Sequence, residues 1–149
     1  SKSATAKDAA QLCKRSNVSN NNDGISLQHS SNNTITNNNV PNNNRGICLE
    51  WWSNNNKIYL NNFGNARNSY SAYSTNIWNS TEPIAYYKGD TYTNHMGNYW
   101  SDYVGSDAGD GIGNTPYSIG SDKDYYPLIE PWESYFVPSR GIKISRPGT

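Results

Sequence analysis

An all-β stacked solenoid is the fold class this sequence predicts, and three observations predict it. First, a segment of about 22 residues occurs twice in tandem. Val18-Ser-Asn-Asn-Asn-Asp-Gly-Ile-Ser-Leu27 is followed by Val40-Pro-Asn-Asn-Asn-Arg-Gly-Ile-Cys-Leu49. Second, each copy continues into another short apolar run, Asn32-Asn-Thr-Ile35 and Asn55-Asn-Lys-Ile58. Third, the turns between the runs are filled with Asn. Short β-type runs between polar turns, at a period of this length, are the mark of repeats that stack on one another.

Composition narrows the function classes. The chain has 149 residues, enough for one domain or a piece of one. Its formal net charge is zero, so it has no basic field for nucleic acid or an anionic membrane. Charged residues are 16%, and 24 Asn carry the polar load instead. A mean hydropathy of -0.90 would fit disorder. The regular spacing of Val, Ile and Leu argues against it. No apolar run approaches the ~18 residues needed to cross a bilayer. No secretory leader is visible, so any leader was removed or lies upstream. Cys13 and Cys48 stand in unlike contexts and are read as free thiols. Asn17, Asn32 and Asn79 begin N-x-S/T triplets that permit glycosylation of a secreted protein.

Residues 1–16 are read as an N-terminal segment holding a capping helix over 4–15. Ser3 can cap it, and Ala6, Ala9, Ala10 and Cys13 fall at i, i+3, i+4 and i+7. Such a helix would protect the open backbone of the first coil. Left open, that edge could pair with another chain, and self-association follows as a partner expectation.

Residues 17–80 are the coils, about three of them. Strand alternation puts Ile25 and Leu27 inward with Ser26 outward, and Ile47 and Leu49 inward with Cys48 outward. Stacking in register sets Ile on Ile and Leu on Leu. It also sets Asn20–Asn22 over Asn42–Asn44 and Asn38–Asn39 over Asn61–Asn62. Asn tolerates left-handed backbone and can link side-chain amides up a stack. The same register lays Asp23 over Arg45, an ordinary cross-strand pair. A looser third coil runs from Phe63 through Tyr70 to Trp78. After Ser80 the period is lost. Every one of the 19 aromatic residues lies at or after Trp51, and residues 81–136 read as an aromatic-rich C-terminal cap with strands near Ile84–Tyr87 and Asp90–Thr93. Trp100, Tyr99 and Tyr103 are its expected core. Residues 137–149 read as a tail or linker.

Several motifs carry a resemblance. They are the coils themselves, Ile58-Tyr-Leu-Asn-Asn-Phe63, Gly97-Asn-Tyr-Trp-Ser-Asp-Tyr103, Gly109-Asp-Gly-Ile-Gly-Asn-Thr-Pro-Tyr117 and Asp124-Tyr-Tyr-Pro-Leu128. Across residues 17–136 the chain resembles the NosD-like repeats, also called the carbohydrate-binding and sugar-hydrolase (CASH) family, common in archaeal surface proteins. The resemblance implies a short right-handed parallel β-helix and an extracellular or cell-surface location. It also implies, in many cases, a larger parent. The family's glycine–aspartate loop usually reads Asp-x-Asp-Gly-Asp-Gly-x-Gly-Asp. Here it is Asp107-Ala-Gly-Asp110-Gly-Ile-Gly-Asn114, shorter by one residue and by one Asp, and ending in Asn.

Four chemistries are weighed. Calcium takes six to eight oxygens on a Gly-permissive loop, so Asp107, Asp110 and Asn114 are the candidate metal ligands, with Asp102 or Asp122 as a further donor. Copper, which the family name suggests, needs clustered imidazole, thiolate or thioether. His29, His95, Met96 and two distant cysteines do not supply that, and copper is not expected. Glycoside hydrolysis needs two carboxyl groups about 5–9.5 Å apart, and the coils carry only Asp23 and Glu50. Carbohydrate binding suits exposed aromatic faces beside Asn amides. Trp51 and Trp52 are therefore the candidate glycan ligands, with one of the two expected to point outward because adjacent residues tend to point opposite ways; the other reading packs both beneath the cap. The expected function is a non-catalytic structural or adhesion module binding a glycan or cell-surface polymer. A polysaccharide-acting hydrolase or lyase fragment is the alternative, and a NosD-type copper-handling protein the second.

Overall fold

The structure, a computed structural model, describes residues 4–6 and 13–137. The strands in chain order are β1 (Ala4–Ala6), β2 (Cys13–Lys14), β3 (Asp23–Gln28), β4 (Thr34–Thr36), β5 (Asn39–Pro41), β6 (Arg45–Glu50) and β7 (Lys57–Tyr59). They continue with β8 (Asn62–Gly64), β9 (Arg67–Ser71), β10 (Ile84–Tyr87), β11 (Thr91–Asn94), β12 (Tyr99–Trp100), β13 (Tyr117–Ile119) and β14 (Asp122–Asp124). One 3-10 turn, Trp132–Phe136, is the only helix among the described residues. The chain is all-β.

Three parallel sheets, in the orders β1-β3-β6-β9, β2-β4-β7 and β5-β8-β12, carry the repeat. In the first sheet Ile25 pairs with Ile47, Leu27 with Leu49 and Asp23 with Arg45. In the second, Ile35 pairs with Ile58. In the third, Val40 pairs with Phe63. Single bridges add a fourth tier to the second and third sheets, Lys57 with Ile77 and Asn17 with Asn39. The inward residues of all three sheets join one buried cluster, in which Ile25, Leu27, Ile35, Val40, Ile47, Leu49, Ile58 and Phe63 are wholly buried. Each such side chain contributes about 1.5–3 kcal/mol. No single run could bury itself, which is why the signature recurs.

The glycine of Gly-Ile-x-Leu has a steric reason. A Cβ on Gly24 would lie 2.6 Å from the carbonyl oxygen of Gly46, and one on Gly46 would lie 2.5 Å from that of Asn68. The corner brings one tier's backbone onto the next.

Three columns of asparagine run up the stack. In each, the backbone N–H and the side-chain Nδ2 of one Asn both donate to Oδ1 of the next Asn in the column, a tier further on except from Asn65 to Asn68, which lie three residues apart. The columns are Asn21–Asn43–Asn65–Asn68, Asn33–Asn56–Asn76 and Asn38–Asn61–Asn98. Each ends on an aspartate, a group that only accepts when ionised. Asn68 Nδ2 donates to Asp102 at 2.7 Å, Asn76 N to Asp122 at 2.8 Å and Asn98 N to Asp124 at 2.8 Å.

The structure corrects four expectations. The two ends of the helix expected over 4–15 are strands instead: Ala4–Ala6 runs parallel to β3, and Cys13–Lys14 parallel to β4. Residues 7–12 lie outside the described residues. Ala4↔Ile25 and Ala6↔Leu27 show that this stretch follows the repeat register, and backbone bonds along a sheet edge outweigh a short amphipathic helix. Cys48, though set opposite the inward residues, is buried: its thiol donates to Asp23 Oδ1 at 3.4 Å beside the Asp23–Arg45 pair. The period does not end at Ser80. It is interrupted by the antiparallel β10–β11 hairpin, then resumes at Asn98–Trp100, where Trp100 takes the Phe63 position. In the loose third coil, Ser69 and Ser71 stand at the Ile and Leu positions. Aromatics fill the space they leave: Phe63, Trp100 and Tyr117 stack at 4.7 and 4.3 Å, with Trp78 tilted against Trp100. Of the expected cap-core residues Trp100 is buried, whereas Tyr99 and Tyr103 are half-buried. The expected tail, apart from Val137, lies outside the described residues.

Candidate functional site: an exposed aromatic corner

In the first sheet β3, β6 and β9 each end in a corner where the chain turns toward the second sheet. At that corner the backbone is left-handed: φ is 48° at His29, 55° at Trp51 and 52° at Tyr73, three residues spaced by the repeat. Trp52 is an extra residue in the second tier and is also left-handed, at 60°. Under the corner runs a column of buried serines. Ser30 N donates to Ser53 Oγ at 3.2 Å and Ser53 N to Ser74 Oγ at 3.0 Å. Ser53 Oγ donates to the carbonyl of Glu50 at 2.8 Å. This column pins the backbone on the inner side and turns the ring-bearing residues outward.

The rings form a continuous run. Centroids are 6.0 Å apart for His29 and Trp52, 6.3 Å for Trp52 and Trp51, and 6.2 Å for Trp51 and Tyr73, the last pair nearly parallel at 20°. Trp51 is 48% exposed, Trp52 60% and Tyr73 74%. Both tryptophans therefore point to solvent, and neither packs beneath the cap. Asn32 and Asn55, both exposed, stand at left-handed turns three residues beyond His29 and Trp52 in the chain. Left-handed backbone is uncommon for a bulky residue and costs of order 1–3 kcal/mol each. His29 and Tyr73 were missed in the sequence. The signal was there, because both lie 22 residues from Trp51.

The other candidate residues are placed elsewhere. Arg45 grips Asp23 through two bonds, Nε to Oδ1 at 2.6 Å and a terminal nitrogen to Oδ2 at 2.9 Å. Glu50 pairs with Gln28, at the opposite end of the strands from Asp23. Five residues of strand separate those ends by ~17 Å, far beyond the reach of a paired-carboxylate mechanism. In the glycine loop, Asp107 Oδ2 accepts from Gly111 N at 2.6 Å and Asp110 Oδ1 from Ile112 N at 3.0 Å. Asn114 is exposed and donates its backbone N–H to Ser106 O at 2.7 Å. Gly109 and Gly111 take φ of 106° and 82°. Each aspartate thus closes the loop with one oxygen.

The family profile described as periplasmic copper-binding protein (NosD) matches residues 3–105, more than half of the chain. The chain belongs to the NosD family. No curated protein and no solved structure matches it significantly. The matched span of the NosD profile opens at the strand Ala4–Ala6 and closes just beyond Trp100, so it follows the tiers rather than the rest of the cap.

The described residues of this NosD chain do not fit a copper centre. Copper needs soft or imidazole donors converging on one point. His95 Nδ1 lies 2.8 Å from the carbonyl of Ser80, and Met96 is wholly buried in the cap core. Burial, reinforced by Asp23, pushes the Cys48 thiol up to about 12. His29 stands alone among the four in the aromatic corner. Among the described residues no three of His, Cys, Asp and Glu gather as a metal site. No helix among the described residues is long and apolar enough to cross a membrane.

Proposed function

We propose that this chain is a non-catalytic carbohydrate-binding module of an extracellular or cell-surface protein. Its scaffold is a short right-handed parallel β-helix closed by the aromatic cap. The family's periplasmic description supports a location outside the cytoplasm, and the common core of three parallel sheets supports the scaffold. The observation that carries the binding function is the run His29–Trp52–Trp51–Tyr73. Aromatic rings that a fold holds in solvent, on strained backbone, are kept against both hydration and local conformational preference. Their faces suit the C–H faces of sugar rings, and the neighbouring amides suit hydroxyls. The strip runs along the stacking direction, so the ligand is a chain and not a single sugar.

Replacing Trp51 or Trp52 by Asn tests this, because Asn accepts left-handed backbone and preserves the corner. Each change is expected to weaken binding of the best ligand on a glycan array about tenfold, roughly 1.4 kcal/mol, with the melting temperature unchanged or raised. Full binding by both variants removes the corner as the site. Cleavage of any bound glycan by the unaltered chain would replace the binding reading with the enzymatic one.

A further inference from the structure

The outward column of the third sheet holds a second feature. Asn17, Asn39 and Asn62 stand one above another in register. The 3-10 turn covers only the last of them. Trp132 N donates to Asn62 Oδ1 at 2.8 Å, and Asn62 Nδ2 donates to Glu133 Oε2 at 2.7 Å, which buries Asn62. Asn39 and Asn17, the next two tiers, are exposed. The overhang leaves a cleft of about 370 Å³ lined by Trp132 and Glu133 on one side and by Arg15, Asn17, Asn37 and Asn39 on the other. The Trp132 indole N–H is buried and has no partner among the described residues. A buried donor left so costs about 1–3 kcal/mol.

We propose that this cleft is a second saccharide site, on a different sheet from the aromatic corner. It takes one or two units of an uncharged oligosaccharide against the Trp132 indole, with hydroxyls on the amides of Asn17 and Asn39 and on the Glu133 carboxylate. The class follows from the lining. An indole offers a flat apolar surface, the amides and carboxylate offer acceptors and donors at ~4.8 Å tier spacing, and Arg15 and Glu133 cancel in charge. A wall fixed through both oxygen and nitrogen of Asn62 is preorganised, so binding orders little. The proposal takes its ligand class from the carbohydrate reading of the aromatic corner, but its geometry is independent of it.

The chain has five Trp, and their indole N–H groups separate the two sites in one nitrogen-15 NMR titration. Trp51 and Trp52 report on the corner, and Trp132 on the cleft. Trp78 and Trp100 donate to Asp122 at 3.2 Å and to Asp124 at 2.9 Å, and serve as internal references. The probes are cellohexaose, mannohexaose and chitohexaose, with signals assigned from single Trp→Phe variants. A saturable shift of the Trp132 signal is expected with at least one probe, and Asn39→Ala, on an exposed side chain, is expected to weaken that titration about tenfold while leaving any Trp51 and Trp52 shifts intact. Glu133→Gln, which keeps an oxygen for Asn62, is expected to weaken it as well. Shifts confined to Trp51 and Trp52 overturn the cleft and keep the corner. A shift at Trp132 alone keeps the cleft and overturns the corner. Still signals with all three probes overturn both.

Discussion

Asp124 is wholly buried at the end of an asparagine column. It accepts from Asn98 N and Trp100 Nε1 through Oδ2, and from Tyr126 N through Oδ1. A side chain on Gly97 would collide with its carboxylate, so that glycine is fixed by the same group. Burial pushes the Asp124 carboxyl up to about 7, against the opposing pull of these donors. The unfolded value is about 3.9. With the folded value the higher, the stability this group contributes is complete below about pH 4 and is lost as the pH rises through about 7. The melting temperature of the native chain minus that of Asp124→Asn should therefore fall across that window. A flat difference would mean that the donors hold the carboxylate at its ordinary value. Gly46→Ala is a steric counterpart: its Cβ meets the Asn68 carbonyl, and a loss of about 1–3 kcal/mol is expected in urea unfolding. An unchanged midpoint would show that the corner can open.

Among elements, the asparagine column behaves as a unit. Asn61 Oδ1 accepts from Asn38 N and Nδ2, and Asn61 Nδ2 reaches the carbonyls of Ile35 and Tyr59. Asn61→Ala strands several buried groups at once and should cost more than about 3 kcal/mol in chemical unfolding. A smaller loss would mean that water replaces the amide. The glycine–aspartate loop calls for a different measurement. An ion held by Asp107, Asp110 and Asn114 would raise the melting temperature in calcium relative to chelator. Identical melting assigns the loop to its own hydrogen bonds. Much at this scale was legible in advance. Ile25, Leu27, Ile47 and Leu49, and the hairpin strands near Ile84 and Thr91, were readable because each follows a local period. The ends of the expected helix, Ala4–Ala6 and Cys13–Lys14, were misread because a helical period over 4–15 gives no sign that β3 and β4 will offer those two strands an edge. Cys48 was misplaced because alternation reports a direction, whereas burial depends on what lies across that direction.

At the scale of the molecule, the tiers and the cap meet through two different chemistries. The apolar core is finished by Trp78, Trp100 and Ile119 beneath Tyr117, and the polar columns are finished by Asp102, Asp122 and Asp124. The cap therefore supplies both a large apolar surface and three terminal acceptors. The sequence by itself determined the all-β class, the register of one tier on the next and the asparagine columns, because each follows from a repeat read against the 22-residue period. Tertiary structure alone decided the outward turn of both Trp51 and Trp52, the rejoining of Trp100 to the stack after the hairpin, and the partial overhang of Trp132 and Glu133 above Asn39. Those depend on contacts between residues dozens of positions apart, and no local period carries information about them.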